Sequence, residues 1–408
     1  MLLGIAALAA VFVPGSVAVL LVLAVVVVAV VDAVLGRGRV ALHRDNGTVL
    51  SRGVASTVSV DVEGSPSGRV RVRQPVPPEM SLVPDEVDGD LVGRLTPRRR
   101  GRYELAAPVA RHTGPLGLVR RDRADDMGPA DVSVYPDLVA ARKVVLAVRH
   151  GRYRDPGRRP QGPLGLGTEF ELIREYSPDD DIRQVNWRAT ARVGRPMSNQ
   201  YRVEQDREVL CLIDAGRLMT SPVLDRSRLD VALDAVTAVA LVADELGDRC
   251  GAVAFDREVR RDIRSRRGGG ATVVRTLYDL EPRPVDSDYE LAFRTVGSKK
   301  RALVLVFTDL LEESAARPLL DAMPVLARRH AVIVASSRDP DLDRLAQQEP
   351  ATPYDVYAAS VAIEVLRARR AVAHRLRNAG AEVVEASPGQ LGHACVGAYL
   401  RLKRRARL

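Results

Sequence analysis

Glu208-Val-Leu-Cys-Leu-Ile-Asp214 sets five apolar residues in succession between two carboxylates. A run this short, with no polar residue alternating through it, reads as a strand buried on both faces. Gly251–Phe255, Ala302–Phe307, Ala331–Ala335 and Ala381–Val384 repeat the pattern. Between them, apolar residues at i, i+3 and i+4 predict helices over about 225–246, 312–328 and 353–378. Such strands alternating with amphipathic helices imply an α/β domain over residues 205–408, with a doubly wound parallel sheet covered on both faces. Ligands of these sheets sit beyond the carboxyl ends of the strands. Asp214 ends the first run and Asp309 lies just past the third.

Upstream the period changes. From residue 37 to 136 apolar and polar residues alternate, as in Val54-Ala-Ser-Thr-Val-Ser-Val-Asp-Val62, with Gly, Pro, Asp and Ser breaks about every 8–12 residues. This predicts a small antiparallel β-sandwich. Residues 137–165 hold one short amphipathic helix followed by Arg152-Tyr-Arg-Asp-Pro-Gly-Arg-Arg-Pro-Gln-Gly162, whose Pro, Gly and Arg content reads as an exposed linker.

Residues 2–31 carry no charged side chain and are interrupted by Pro14-Gly15. A single helix of that length is ~45 Å at ~1.5 Å per residue, against a hydrocarbon core of ~30 Å. The expectation for residues 1–36 is a transmembrane anchor, either a helical hairpin turning at Pro14-Gly15 or one helix kinked at Pro14. Arg37, Arg39 and Arg44 follow directly. Positive-inside bias then places the anchor in the cell membrane with the soluble domains facing the cytoplasm.

At 408 residues the chain is too long for one ordinary domain of ~100–200 residues. Its 61 Lys+Arg exceed 52 Asp+Glu, yet residues 161–400 hold 33 and 36 of them, so the body of the chain is slightly acidic. Part of the excess crowds the end as Arg401, Lys403, Arg404, Arg405 and Arg407, which argues against a nucleic-acid-binding face. Cys211, Cys250 and Cys395 cannot all pair and match no zinc spacing, so free thiols are expected.

Common enzyme signatures are missing. There is no G-x-x-x-x-G-K-[ST], H-E-x-x-H or G-x-S-x-G, and the six histidines are scattered. The densest polar stretch is Arg174-Glu-Tyr-Ser-Pro-Asp-Asp-Asp-Ile-Arg-Gln-Val-Asn-Trp-Arg-Ala-Thr-Ala-Arg192, which holds the only tryptophan. Glu175, Asp180, Arg183, Asn186, Trp187 and Arg192 form one candidate surface for a partner. The competing reading is structural: Trp187 anchors the segment on the sheet domain, Arg183 and Arg192 pair with Glu175 or Glu204, and Asp179–Asp181 cap a helix starting near Ile182.

That stretch, within a segment spanning 166–204 and followed by the strand into Asp214, resembles the hallmark of a bacterial membrane-anchored family, domain of unknown function 58. Arg100-Gly-Arg-Tyr-Glu-Leu-Ala-Ala-Pro108, Gly114-Pro-Leu-Gly-Leu118 and Val134-Tyr-Pro136 are similar to the family's β-domain signature. The resemblance implies a von Willebrand factor A-like domain at the C-terminal end, a pair of N-terminal membrane spans, and association with a MoxR-type AAA+ ATPase. It also implies a degenerate MIDAS, the site where A-type domains hold a divalent cation through D-x-S-x-S, a threonine and a later aspartate. Asp214, Thr272 and Asp309 match those positions, but Gly216 and Leu218 replace the two serines and supply no side-chain oxygen. A hard cation needs such an oxygen cage, so at most weak Mg²⁺ binding is expected, and no other cofactor.

Taken together, these features predict a non-enzymatic, membrane-anchored adaptor or assembly factor acting through protein–protein interaction, with no catalytic residue and no nucleic-acid partner. The alternative is a Mg²⁺-dependent hydrolase using Asp214 and Asp309.

Overall fold

The computed structural model describes residues 15–36, 40–64, 67–124, 127–151, 153, 169–177, 180, 182–202, 207–296, 301–310 and 313–404. The first leg of the expected hairpin, all of the expected linker sequence after Gly151 except Tyr153, Glu204 and the end of the basic tail lie outside these residues. Two compact units divide the chain, Met1–Val134 and Tyr135–Leu408.

In the first unit the alternating pattern builds three sheets. One four-stranded sheet runs in the order Ala41–Asn46, Ser56–Glu63, Leu91–Pro97, Met80–Val83, and a second runs Arg120–Ala124, Val109–Thr113, Arg69–Arg73, Glu86–Asp88. A three-stranded sheet orders Val49–Ser51, Ala130–Tyr135 and Gly101–Leu105. Every second residue points inward, so Val58 and Val60, Val70 and Val72, and Val132 and Val134 meet in one core. All three sheets supply that core.

The apolar N-terminal stretch corrects the sequence reading. Its described part is a helix, Gly15–Leu35, and most of its large apolar side chains are exposed. Among the described residues no helix is long and apolar enough to cross a membrane, so the expected transmembrane anchor is not supported. The last turn is committed elsewhere. Asp32 is buried in the first unit, its Oδ1 accepting from the Leu116 N–H at 2.7 Å and its Oδ2 from Leu118 and Val119 at 2.9 Å each. The loop holding Asp32 is Gly114-Pro-Leu-Gly-Leu118, and a Cβ on Gly114 would collide with the carboxylate. Burial pushes the Asp32 pKa up, but the three N–H groups and the nearby His112 outweigh it and hold the carboxyl below the usual range.

The second unit contains a six-stranded sheet. Counted in chain order, its strands are Glu208–Asp214, Arg249–Phe255, Val259–Arg267, Leu303–Phe307, Ala331–Ser337 and Glu382–Ala386, and their spatial order is 3-2-1-4-5-6. Neighbours are parallel except the third, an antiparallel edge strand paired with the second. This doubly wound order brings the ends of strands 2, 1 and 4 side by side.

The first strand has an apolar residue at every inner position because it feeds two cores at once. Val209, Cys211 and Ile213 pack with residues of the helix Arg228–Glu245 and of Leu391–Arg404. Leu210 and Leu212 join the opposite cluster with residues of Tyr289–Val296, Glu313–Arg329 and Pro353–Asn378. The helix Arg228–Glu245 starts at a capping box in which the Ser227 hydroxyl accepts from the Asp230 N–H and Asp230 accepts from the Ser227 N–H. Mixed α/β architecture with several sheets is therefore the class observed, in place of the anchored arrangement expected.

Candidate functional site at the sealed strand ends

Asp214 ends the first strand and is 1% exposed. Its Oδ1 accepts from the Gly216 N–H at 2.8 Å and the Ser287 hydroxyl at 2.5 Å. Its Oδ2 accepts from the Tyr289 and Thr308 hydroxyls, each at 2.7 Å. A carboxylate offers about four lone-pair sites, and four donors of this chain fill them. Burial, then the adjacent Asp214 charge, drive the Tyr289 phenol far above its ordinary pKa, so it stays a donor.

Asp309 follows the fourth strand, 3% exposed, and lies between two buried guanidinium groups. Arg228 Nε is 3.2 Å from Oδ2, and Arg369 Nη2 is 3.0 Å from Oδ1. Arg228 also reaches Asp339 at 3.3 Å, and Arg369 donates to the Ser337 carbonyl at 2.8 Å. Burial lowers the Arg228 pKa, with the two carboxylates opposing the shift. A third strand-end carboxylate, Asp256, is paired with Arg260 at 2.9 Å.

Thr272 does not join this group. The pairing of Cys250 with Arg266 puts the turn that precedes it at the amino-terminal edge of the sheet, while Asp214 pairs with Phe255 at the other. There the Thr272 hydroxyl accepts from Arg266 at 2.5 Å. Asp214, Thr272 and Asp309 therefore form no cage: Asp214 is bonded by hydroxyls of this chain, and Asp309 is ion-paired with two guanidiniums. Among the described residues no group of three or more His, Cys, Asp or Glu side chains is arranged to hold a metal ion. A cleft of about 230 Å³ opens beside Asp214, lined by Arg217, Leu218, Asp286, Ser287, Tyr289 and Pro318, and Arg217 is paired with Asp286 across it.

The motif segment folds as a hairpin with a helix in its loop. Strands Glu169–Glu175 and Met197–Arg202 are antiparallel, and the helix Trp187–Val193 lies between them in sequence. Asn186 caps that helix, accepting from the Ala189 N–H at 2.9 Å and donating to Asn199 at 2.8 Å. Thr190 accepts from the Met197 N–H, and Gly194 ends the helix with φ +75°. Asp180 is a staple: Arg174 lies 2.5 Å from it, and it accepts from the Ser177 N–H at 2.8 Å, which with Arg174 holds its pKa down.

Trp187 is not the expected anchor: it is 69% exposed, as is Ile182, and Ile173, Val193 and Arg192 are exposed as well. Glu175 pairs with Arg195 at 3.4 Å, whereas Arg183's side chain lies outside the described residues. The hairpin thus presents Ile173, Ile182, Trp187 and Val193 to solvent from a frame pinned by Asn186, Thr190 and Asp180.

These features define a two-unit α/β protein whose doubly wound sheet has closed strand ends and whose motif hairpin is the outward-facing part. The chain belongs to the family described as "Protein of unknown function DUF58", whose profile matches residues 172–381. Similar curated proteins are the uncharacterized proteins Rv1480 and MT1527 of Mycobacterium tuberculosis and Mb1516 of Mycobacterium bovis, each 25% identical over 183 residues. The aligned region covers 43% of this chain, and the chain spans 56% of the length of these relatives. A solved structure, the CARDB domain of the PF1109 protein from Pyrococcus furiosus in complex with di-metal ions, matches 24% of this chain and 88% of its own at 14% identity. Its TM-score of 0.16 is too low to assign a fold.

Proposed function

We propose that this protein is a non-enzymatic adaptor or assembly factor that acts by binding a protein partner through the motif hairpin around Trp187. The observation that carries this reading is the exposure of Trp187 on a helix fixed at both ends, by the Asn186 cap and by Gly194. A large aromatic held rigidly in solvent matches the residues that dominate binding energy at interfaces. Ile173, Ile182 and Val193 supply apolar surface on the same segment, and Arg192 a charge for its polar rim. The strand ends support it from the other side: the four lone-pair sites of Asp214 are taken by donors of this chain, and Asp309 faces two buried guanidiniums. The resemblance of the Arg174–Arg192 motif points to a MoxR-type AAA+ ATPase as the partner. Co-purification of the full chain with a MoxR-type ATPase of the same genome tests this, with ATP and with ADP. Retention is expected, and failure to retain the ATPase in either nucleotide state would remove that partner.

A further inference from the structure

The antiparallel edge strand Val259–Arg267 is unlike the rest of the sheet. It carries Arg260, Arg261, Arg264, Arg266 and Arg267 against the single Asp262, and only Ile263 is buried. Among the described residues its one strand neighbour is Arg249–Phe255, and its other side is the edge of a six-stranded sheet. Every second residue of such an edge turns its N–H and C=O outward. Natural edges are blunted by shortness, by charged side chains or by bulges; this one runs 9 residues, and what guards it is a nearly uniform positive charge and two register shifts against its neighbour, so an oppositely charged strand is the kind it would admit. Arg260 is engaged by Asp256, and Arg261 folds back onto the Arg260 carbonyl. Neither Arg261 nor Arg264 has a carboxylate partner among the described residues.

We propose that this edge is a docking site for an extended acidic segment of a partner protein, which adds a seventh strand beside Val259–Arg267. Main-chain hydrogen bonds supply the affinity in such strand addition, and the side chains select the partner. The arginines repel a second copy of the same edge and favour a strand carrying Glu or Asp at alternate positions, since opposite charges facing each other across a pair are stabilising. The surface is separate from the Trp187 hairpin, and its occupant is defined by charge and by extended conformation.

The test uses the full chain and a fluorescein-labelled decapeptide of alternating Glu and Val. Saturable binding is expected, with backbone amides of residues 259–267 exchanging more slowly when the peptide is present. The double variant Arg261→Glu/Arg264→Glu, at exposed positions that leave the core intact, is expected to weaken binding at least tenfold with an unchanged melting curve. N-methylation of alternate peptide bonds, which removes the ladder donors and keeps every charge, is expected to weaken it by a similar factor. Undiminished binding of the N-methylated peptide would overturn strand addition. Tighter binding of a twenty-nucleotide thymidine oligomer than of the peptide would overturn the protein partner, and an absence of peptide binding would overturn the site altogether.

Discussion

The hydroxyl of Ser287 stands where a side chain on Gly216 would have to go. A Cβ built at Gly216 falls on Ser287 Oγ, which itself donates to Asp214. The resemblance to A-type domains would put a serine where Gly216 stands; in this structure the Ser287 hydroxyl fills that space and donates to Asp214. Gly216→Ser is therefore expected to lower stability by about 1–3 kcal/mol through overpacking, and to create no cation site. Thermal unfolding with and without millimolar Mg²⁺ checks both parts: a fall in Tm, and no recovery on adding the ion.

Asp309 is held by Arg228 and Arg369 out of water. Removing one partner of a buried pair strands a charge, which typically costs about 3–5 kcal/mol, whereas replacing both with apolar groups costs far less. Asp309→Leu, which leaves the two buried guanidiniums without the carboxylate between them, is expected to fall in this larger range in urea unfolding. Arg228→Met on top of it should give back part of the loss, because it removes one of the two facing cations. A double variant no better than the single one would contradict this coupling.

Asp32 makes the attachment of the N-terminal helix pH-dependent. Its folded pKa lies below the ordinary value of ~3.9, so the stability it contributes is complete above that value and is lost as pH falls through the folded one. Asp32→Asn is expected to be less stable than the native chain at pH 7, with the gap constant down to about pH 5 and shrinking below about pH 4. Urea midpoints measured at each pH check the sign; a gap that widens on acidification would contradict it.

The parallel strands are legible in the sequence because each must bury both faces, leaving runs such as Leu303–Phe307 with no polar residue. The edge strand Val259–Arg267 is not, since its edge position and one covered face leave it five arginines and the signature of a loop. At the strand ends Asp214 and Asp309 are readable from position alone. Their partners are not: Ser287 and Tyr289 come from a distant loop and helix, and Arg228 and Arg369 from helices that look amphipathic and solvated in the sequence. Thr272 is misplaced because its glycine run says nothing of which edge of the sheet it reaches. Trp187 fails as an anchor for a related reason: a lone tryptophan is usually buried, and only the Asn186–Asn199 and Thr190–Met197 hydrogen bonds reveal that polar contacts, not the indole, fix the helix.

As the only tryptophan, Trp187 reports directly on its own role, and its intrinsic fluorescence during titration with a MoxR-type AAA+ ATPase is the decisive measurement. The free chain should show the red-shifted, readily quenched emission of an exposed indole; binding should shift it to the blue and protect it from acrylamide. Trp187→Glu, read by a labelled ATPase, should weaken binding at least ~100-fold, the ~3 kcal/mol of a central aromatic anchor, with unfolding unchanged. An emission already blue in the free chain, or a Trp187→Glu variant that binds as tightly as the native protein, would contradict partner binding through this residue.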